Sequence, residues 1–136
     1  LGKGKIAGIY FDIGQQYING RTAGACDFVK RTVSKLLQKP ELTVIGSRNV
    51  EVALRRNCGK KEVVLLNCSG PHSDPNTFTY DELLTICDIT VKVKTENKPE
   101  KVVRQPENLQ LDFEWDGEYT AVKLEKLEIM SVITLD

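Results

Sequence analysis

The sequence predicts a mainly β domain: an antiparallel β-sandwich of about seven or eight strands, with one α-helix packed near the N-terminus. Three observations carry this expectation. Leu109, Leu111, Phe113 and Trp115 step in twos before Asp116-Gly117, and Val122 and Leu124 resume the alternation after it. Val50, Val52 and Leu54 alternate with Glu51, Ala53 and Arg55 ahead of a second run, Glu62 to Asn67. Only one stretch, Cys26 to Leu37, spaces its apolar residues as a helix does.

Taken in order, Lys5 to Phe11 (KIAGIYF) reads as a buried strand closed by Asp12-Ile13-Gly14, followed by a polar loop to about Arg21. Cys26, Val29, Val33, Leu36 and Leu37 then recur at helical spacing, with Lys30, Arg31, Ser34 and Lys35 opposite. Thr22 is placed to cap this helix and Pro40 marks its stop. Leu42 to Ile45 is a short apolar stretch that turns at Gly46-Ser47.

A loop centred on Cys58-Gly59 sets Leu54 against Val63, Val52 against Leu65 and Arg55 against Glu62, so that apolar and charged pairs take opposite faces. Val64 and Leu66 fall on the charged face, which therefore needs a cover; the amphipathic helix is the expected one. Cys68 to about Leu83 reads as a long loop. Ile89, Val91 and Val93 mark a strand, Lys101 to Arg104 a shorter one ended by Pro106, and Ile129 to Leu135 the last. Asp116-Gly117 suits a two-residue type I′ turn. That turn puts Trp115 opposite Glu118, Phe113 opposite Thr120, Leu111 opposite Val122 and Leu109 opposite Leu124.

The 136 residues suit one domain, or one domain plus a fragment of a neighbour, and can bury a core without disulfide or metal staples. Nineteen basic residues balance nineteen acidic ones, which gives no electrostatic reason to expect nucleic acid or an anionic membrane as partner. Lys30, Arg31 and Lys35 cluster, but on the polar side of the helix, where a solvated face explains them. No apolar run approaches the ~20 residues of a membrane span. The chain begins at Leu1 rather than Met, which predicts an excised or processed piece. The four cysteines lack paired spacing; Cys58 and Cys68 sit at opposite ends of one hairpin, beyond disulfide reach.

The candidate sites are thin. His72 is the only histidine, and Cys68 lies four residues before it. A Cys–His nucleophile pair needs an orienting third group, and none is adjacent. One histidine and scattered cysteines do not make a zinc site, so no metal and no cofactor is expected. Asp112 and Glu114 share a strand face, and Asp116 and Glu118 flank a turn. Glycosidases use two carboxylates ~5–10 Å apart, yet alternating acids are the ordinary way to keep an outer strand face soluble. Gly2, Gly4 and Gly8 precede or interrupt a strand, so they form no dinucleotide fingerprint. Asp12-Ile13-Gly14 is better placed, beyond a strand end, but stands alone. Tyr119, expected on the outer face of the last hairpin, and Phe78 and Tyr80, in the long loop, are the candidates for stacking on sugars. Trp115 is expected on the inner face, near a sheet end.

Gly2-Lys3-Gly4-Lys5-Ile6-Ala7, the strand ending Asp12-Ile13-Gly14, and the helix through Phe28, Val29 and Leu37 resemble the end of an α/β domain of glutamine-amidotransferase type. Val50 to Arg56, Val64-Leu65-Leu66-Asn67 and the closing Leu124 to Leu135 stretch are similar to a terminal β-domain. Together they resemble the C-terminal region of bacterial glycoside-hydrolase-like proteins of the broad beta-galactosidase style. The resemblance rests on apolar patterns across nearly the whole chain. It implies a parent with a catalytic (β/α)8 barrel, then the α/β domain, then a small β-domain. The family's catalytic carboxylates lie in the barrel, so none falls on this sequence.

The resulting expectation is a non-catalytic accessory module of a bacterial glycoside hydrolase. Residues 1–46 would be a strand-helix segment from a preceding α/β domain, and residues 47–136 the sandwich. Its partners would be the barrel and α/β domain of the parent chain. A second copy of the chain would be another, because a cut strand and helix need some surface to cover them. The alternative is a carbohydrate-binding module using Tyr119, Phe78 and Tyr80. A third reading, a hydrolase using Cys68 and His72, predicts thiol-sensitive activity. A secreted parent would place the module in the periplasm or outside the cell; the residues themselves give no compartment.

Overall fold

The computed structural model describes residues 2, 4–20, 22–70 and 82–136. They divide into two units, one reaching Pro40 and the other beginning at Glu41.

The first unit is helical. Asp12 starts α1 (Ile13–Gly20) by accepting from the Gln15 N–H at 2.9 Å through its carboxylate, as an N-cap does. Thr22 starts α2 (Ala23–Leu36) by accepting from the Ala25 N–H at 3.3 Å, the cap the sequence predicts. The Leu37 N–H closes the last turn on the Val33 carbonyl at 2.8 Å. Phe11 and Phe28 stack at a tilt, with ring centroids 5.6 Å apart. Two expectations fail here. The stretch read as a polar loop is α1, and the stretch read as a buried strand, Lys5 to Phe11, forms no strand and is exposed throughout. A strand buried on both faces needs flanking strands, and the described residues of this unit supply only helices.

The second unit is mainly β, two antiparallel sheets of nine strands that fit a sandwich. The strands are β1 (Leu42–Ile45), β2 (Val50–Asn57), β3 (Lys60–Asn67), β4 (Ile86–Lys94), β5 (Val102–Gln105), β6 (Leu109–Gln110), β7 (Phe113–Trp115), β8 (Tyr119–Leu127) and β9 (Met130–Leu135). The four-stranded sheet runs β1-β4-β8-β7 and the five-stranded sheet β2-β3-β9-β5-β6. The architecture is the predicted one, with nine strands in place of seven or eight and a second helix among the described residues.

The β2–β3 hairpin has the predicted register, with Leu54 opposite Val63, Val52 opposite Leu65 and Arg55 opposite Glu62. Its turn residues, Cys58 and Gly59, have φ of 49° and 82°, the two positive angles that a two-residue type I′ turn requires. The β7–β8 hairpin departs from prediction. Trp115 pairs with Thr120 and Phe113 with Val122, a shift of two residues that keeps every side chain on its expected face. Asp116 has no positive φ; its carboxylate instead accepts from the backbone N–H groups of Glu118 at 2.9 Å and Tyr119 at 2.7 Å, which builds a longer turn. The alternating run before it is also broken: Leu109 pairs with Arg104 in the five-stranded sheet, while Phe113 to Trp115 belongs to the other. The chain changes sheets at Leu111–Asp112, where the Leu111 N–H bonds the Val102 carbonyl at 2.9 Å.

The core lies between the sheets: Val63, Leu65, Ile133 and Leu135 from one, facing Ile89, Val91, Val93, Val122, Leu124 and Leu127 from the other. Burial of that apolar area drives the packing. Two groups of buried polar side chains are hydrogen-bonded across the fold. The Thr95 and Thr120 hydroxyls meet at 2.8 Å. The Asn67 amide nitrogen donates to the carbonyls of Glu128 at 2.6 Å, Leu84 at 2.9 Å and Leu127 at 3.3 Å, while its oxygen accepts from the Ser69 N–H at 2.9 Å.

Candidate functional site

Of the three aromatic candidates, Phe78 and Tyr80 lie outside the described residues, as does His72. Tyr119 is the first residue of β8, half-buried and opposite Lys94 of β4. Strand alternation sets it on the outer face of the four-stranded sheet, because its neighbour Thr120 is wholly buried on the inner one. Around it the turn is held firmly. Beyond the two bonds to the Asp116 carboxylate, the Thr95 N–H donates to the Glu118 carbonyl at 2.9 Å, and Lys94 pairs with the Glu118 carboxylate at 3.3 Å. The bonds from the Tyr119 and Glu118 N–H groups hold the Asp116 carboxyl below the usual carboxylate range.

Trp115 lies across from Thr120, hence on the inner face. Its indole Nε1 is buried and has no hydrogen-bond partner among the described residues. Tyr119 and Trp115 thus take opposite faces of one sheet and form no shared stacking platform.

The nucleophile candidate Cys68 is half-buried just after β3, with its sulfur 3.9 Å from the Glu51 carboxylate. All four cysteines are free thiols. Among the described residues no three His, Cys, Asp or Glu side chains gather as a metal site would need. Asp112 and Glu114 are exposed, as the solubility argument expects. Lys30, Arg31 and Lys35, with Asp27 and Ser34, line an open depression along α2.

The most developed polar groupings fasten strand ends. Glu62 accepts from Arg55 Nε at 2.7 Å and from the Asn57 amide at 3.1 Å, and these bonds, Asn57 first, hold its carboxyl below the ordinary range. Asp136 receives Lys60 at 2.9 Å and Lys101 at 3.6 Å; the Lys60 bond dominates a similar lowering. All three depressed carboxylates stay ionised at neutral pH and tie strands or turns together. The sequence showed Arg55 against Glu62, but not Asn57, whose role follows from the tight turn beside it. No helix among the described residues is long and apolar enough to cross a membrane.

No protein-family model matches the chain, and no curated protein matches its sequence. Solved structures do match its fold. Alpha-L-fucosidase isoenzyme 2 from Paenibacillus thiaminolyticus superposes with a TM-score of 0.81 at 13% identity, over 94% of this chain and 20% of that one. A Paenibacillus sp. cycloisomaltooligosaccharide glucanotransferase, solved with cycloisomaltoheptaose, superposes with a TM-score of 0.52 at 17% identity, over 69% of this chain and 16% of that one. The chain thus spans about a fifth or less of the enzymes whose fold it shares. Both are enzymes named for carbohydrate substrates, and at these identities the likeness is one of fold.

Proposed function

We propose that this chain is a non-catalytic accessory module of a larger glycoside hydrolase, contributing cohesion to the parent rather than bond cleavage. One observation carries the reading: a fold matching 94% of this chain forms only 20% of a fucosidase chain. The side-chain chemistry supports it. The three carboxylates with lowered proton affinity are each committed to strand or turn contacts, and a general acid needs the opposite shift. The resemblance of Val50 to Arg56, Val64 to Asn67 and Leu124 to Leu135 to a terminal β-domain agrees with a position toward the C-terminus of such a parent.

Two measurements test the reading. The reading frame that contains this chain should encode a catalytic domain with two suitably spaced acids; a frame without one would overturn the proposal. The chain itself should show no turnover of aryl glycosides above that of a Cys68→Ala variant. Turnover that the variant abolishes would establish the thiol hydrolase instead. Titration with oligosaccharides, followed by Trp115 fluorescence and repeated on Tyr119→Ala, should give no saturable response. Saturation lost in that variant would favour the carbohydrate-binding module.

A further inference from the structure

The five-stranded sheet ends on β2, and that edge is long. It has eight residues, against two for β6 at the other edge and four and three for β1 and β7 in the second sheet. A two-residue turn makes Asn57 and Lys60 the closing hydrogen-bonded pair, and at the far end the Cys68 N–H donates to the Asn49 carbonyl at 2.8 Å. Odd-numbered residues of β2 therefore bond β3. Val50, Val52, Leu54 and Arg56 aim their N–H and C=O groups away from it, along an edge that no strand among the described residues pairs with. A free ladder of this kind is a template for another strand.

We propose that β2 pairs with β2 of a second copy, antiparallel about a two-fold axis at Ala53, joining two five-stranded sheets into one. Charge selects this register. With the axis at Ala53, Glu51 lies opposite the second copy's Arg55, and symmetry makes the pair twice, while Val52 lies opposite Leu54. Moving the axis to Glu51 or to Arg55 sets like charges against each other. Moving it to Val52 or Leu54 leaves both charges without an opposite mate. An axis between residues would set edge-facing groups against groups already bonded to β3, so no ladder forms. The Ala53 register thus uses every free group: roughly eight ladder hydrogen bonds from two Val52–Leu54 and two Val50–Arg56 pairs. It is isologous and closed, so it stops at a dimer.

Burial agrees with the charges. Val52 shares its face with the core residues Leu65 and Val63 of β3 yet stays 39% exposed, and the second copy's Leu54 would cover it. On the outer face, Leu66 is 39% and Met130 53% exposed, in register with each other beside half-buried Val64 and Val132. That apolar strip reaches the edge at Ala53 and would continue across the axis. Glu62 holds Arg55 through Nε, which leaves the other guanidinium donors for a second carboxylate.

The test is sedimentation equilibrium of the full 136-residue chain over a concentration series, with circular dichroism melts to confirm folding. The wild type should show a reversible monomer–dimer equilibrium. Glu51→Arg and Arg55→Glu should each weaken it roughly tenfold or more, since each opposes like charges twice. An equimolar mixture of the two variants should dimerise again, because positions 51 and 55 are then both basic in one chain and both acidic in the other. Val52→Pro removes an edge N–H that no strand among the described residues pairs with, and should weaken the dimer while the melt stays near wild type. A wild type monomeric to millimolar concentration overturns the proposal. So does a dimer that both charge variants retain, or two variants that fail to associate when mixed.

Discussion

At the scale of single residues, the β unit depends on a few side chains whose partners lie far along the chain. Asn67 is the clearest. Its amide joins the end of β3 to the β8–β9 turn and to the approach to β4, so Asn67→Leu strands several carbonyls inside the fold. Its cost should be about 2–4 kcal/mol, read as a lower melting temperature. Gly46 is the second. It sits at φ 114°, and a Cβ there would lie 2.7 Å from the Asp88 carbonyl oxygen, itself on a residue with φ 54°. Gly46→Ala should cost about 2–3 kcal/mol in denaturant unfolding. Gly46-Ser47 was legible as a turn. The close approach was not, because it depends on Asp88 in a distant strand. The candidate site suffered likewise: Tyr119 could be assigned to an outer face by alternation, but not the turn whose Asp116 carboxylate accepts from its N–H.

At the scale of elements, the two β-hairpins show what local sequence can and cannot decide. The β2–β3 register was legible because opposite charges and apolar pairs agreed on one alignment, and because two residues fill the turn. The β7–β8 register was not, although Asp-Gly is the stronger turn signal. There the Asp116 side chain competes with the backbone for two N–H groups, and the longer turn it stabilises moves the pairing by two. The tight turn instead holds Cys58 at positive φ, which a Cβ-bearing residue adopts at a cost and asparagine more readily. Cys58→Asn should therefore stabilise the chain by about 0.5–1 kcal/mol in thermal unfolding without changing the register. Helix α1 carried a usable signal, Asp12 followed three residues later by Gln15, the spacing of an N-terminal cap. The same Asp12 directly follows the apolar run Lys5 to Phe11, so Asp12-Ile13-Gly14 equally resembles the end of a strand. That strand failed for want of neighbours, which no local pattern can supply.

At the scale of the whole molecule, the fold class was legible because alternation dominates the second half of the sequence, while the assignment of strands to sheets was not. Leu109 to Trp115 looks continuous, and only the competition between two sheets for its ends divides it. The summed electrostatics also act at this scale. Glu62, Asp116 and Asp136 each have a folded-state pKa below that of the unfolded chain, so the unfolded chain binds their protons first as pH falls. The stability they add is whole above the ordinary carboxylate range and is lost as pH drops through their depressed values. Melting temperature should hold steady from neutral pH to about 5 and then fall. A triple variant, Glu62→Gln, Asp116→Asn and Asp136→Asn, should start lower and show a shallower acid slope.

The placing of β9 has a consequence for how the protein is made. This strand, Met130–Leu135, lies between β3 and β5, so the β2–β3 and β5–β6 pairs each wait for the last segment of this sequence to be synthesised before they join in one sheet. On the ribosome the nascent β unit must therefore stay unfinished, with one side of β3 and one side of β5 unpaired, until those residues clear the exit tunnel.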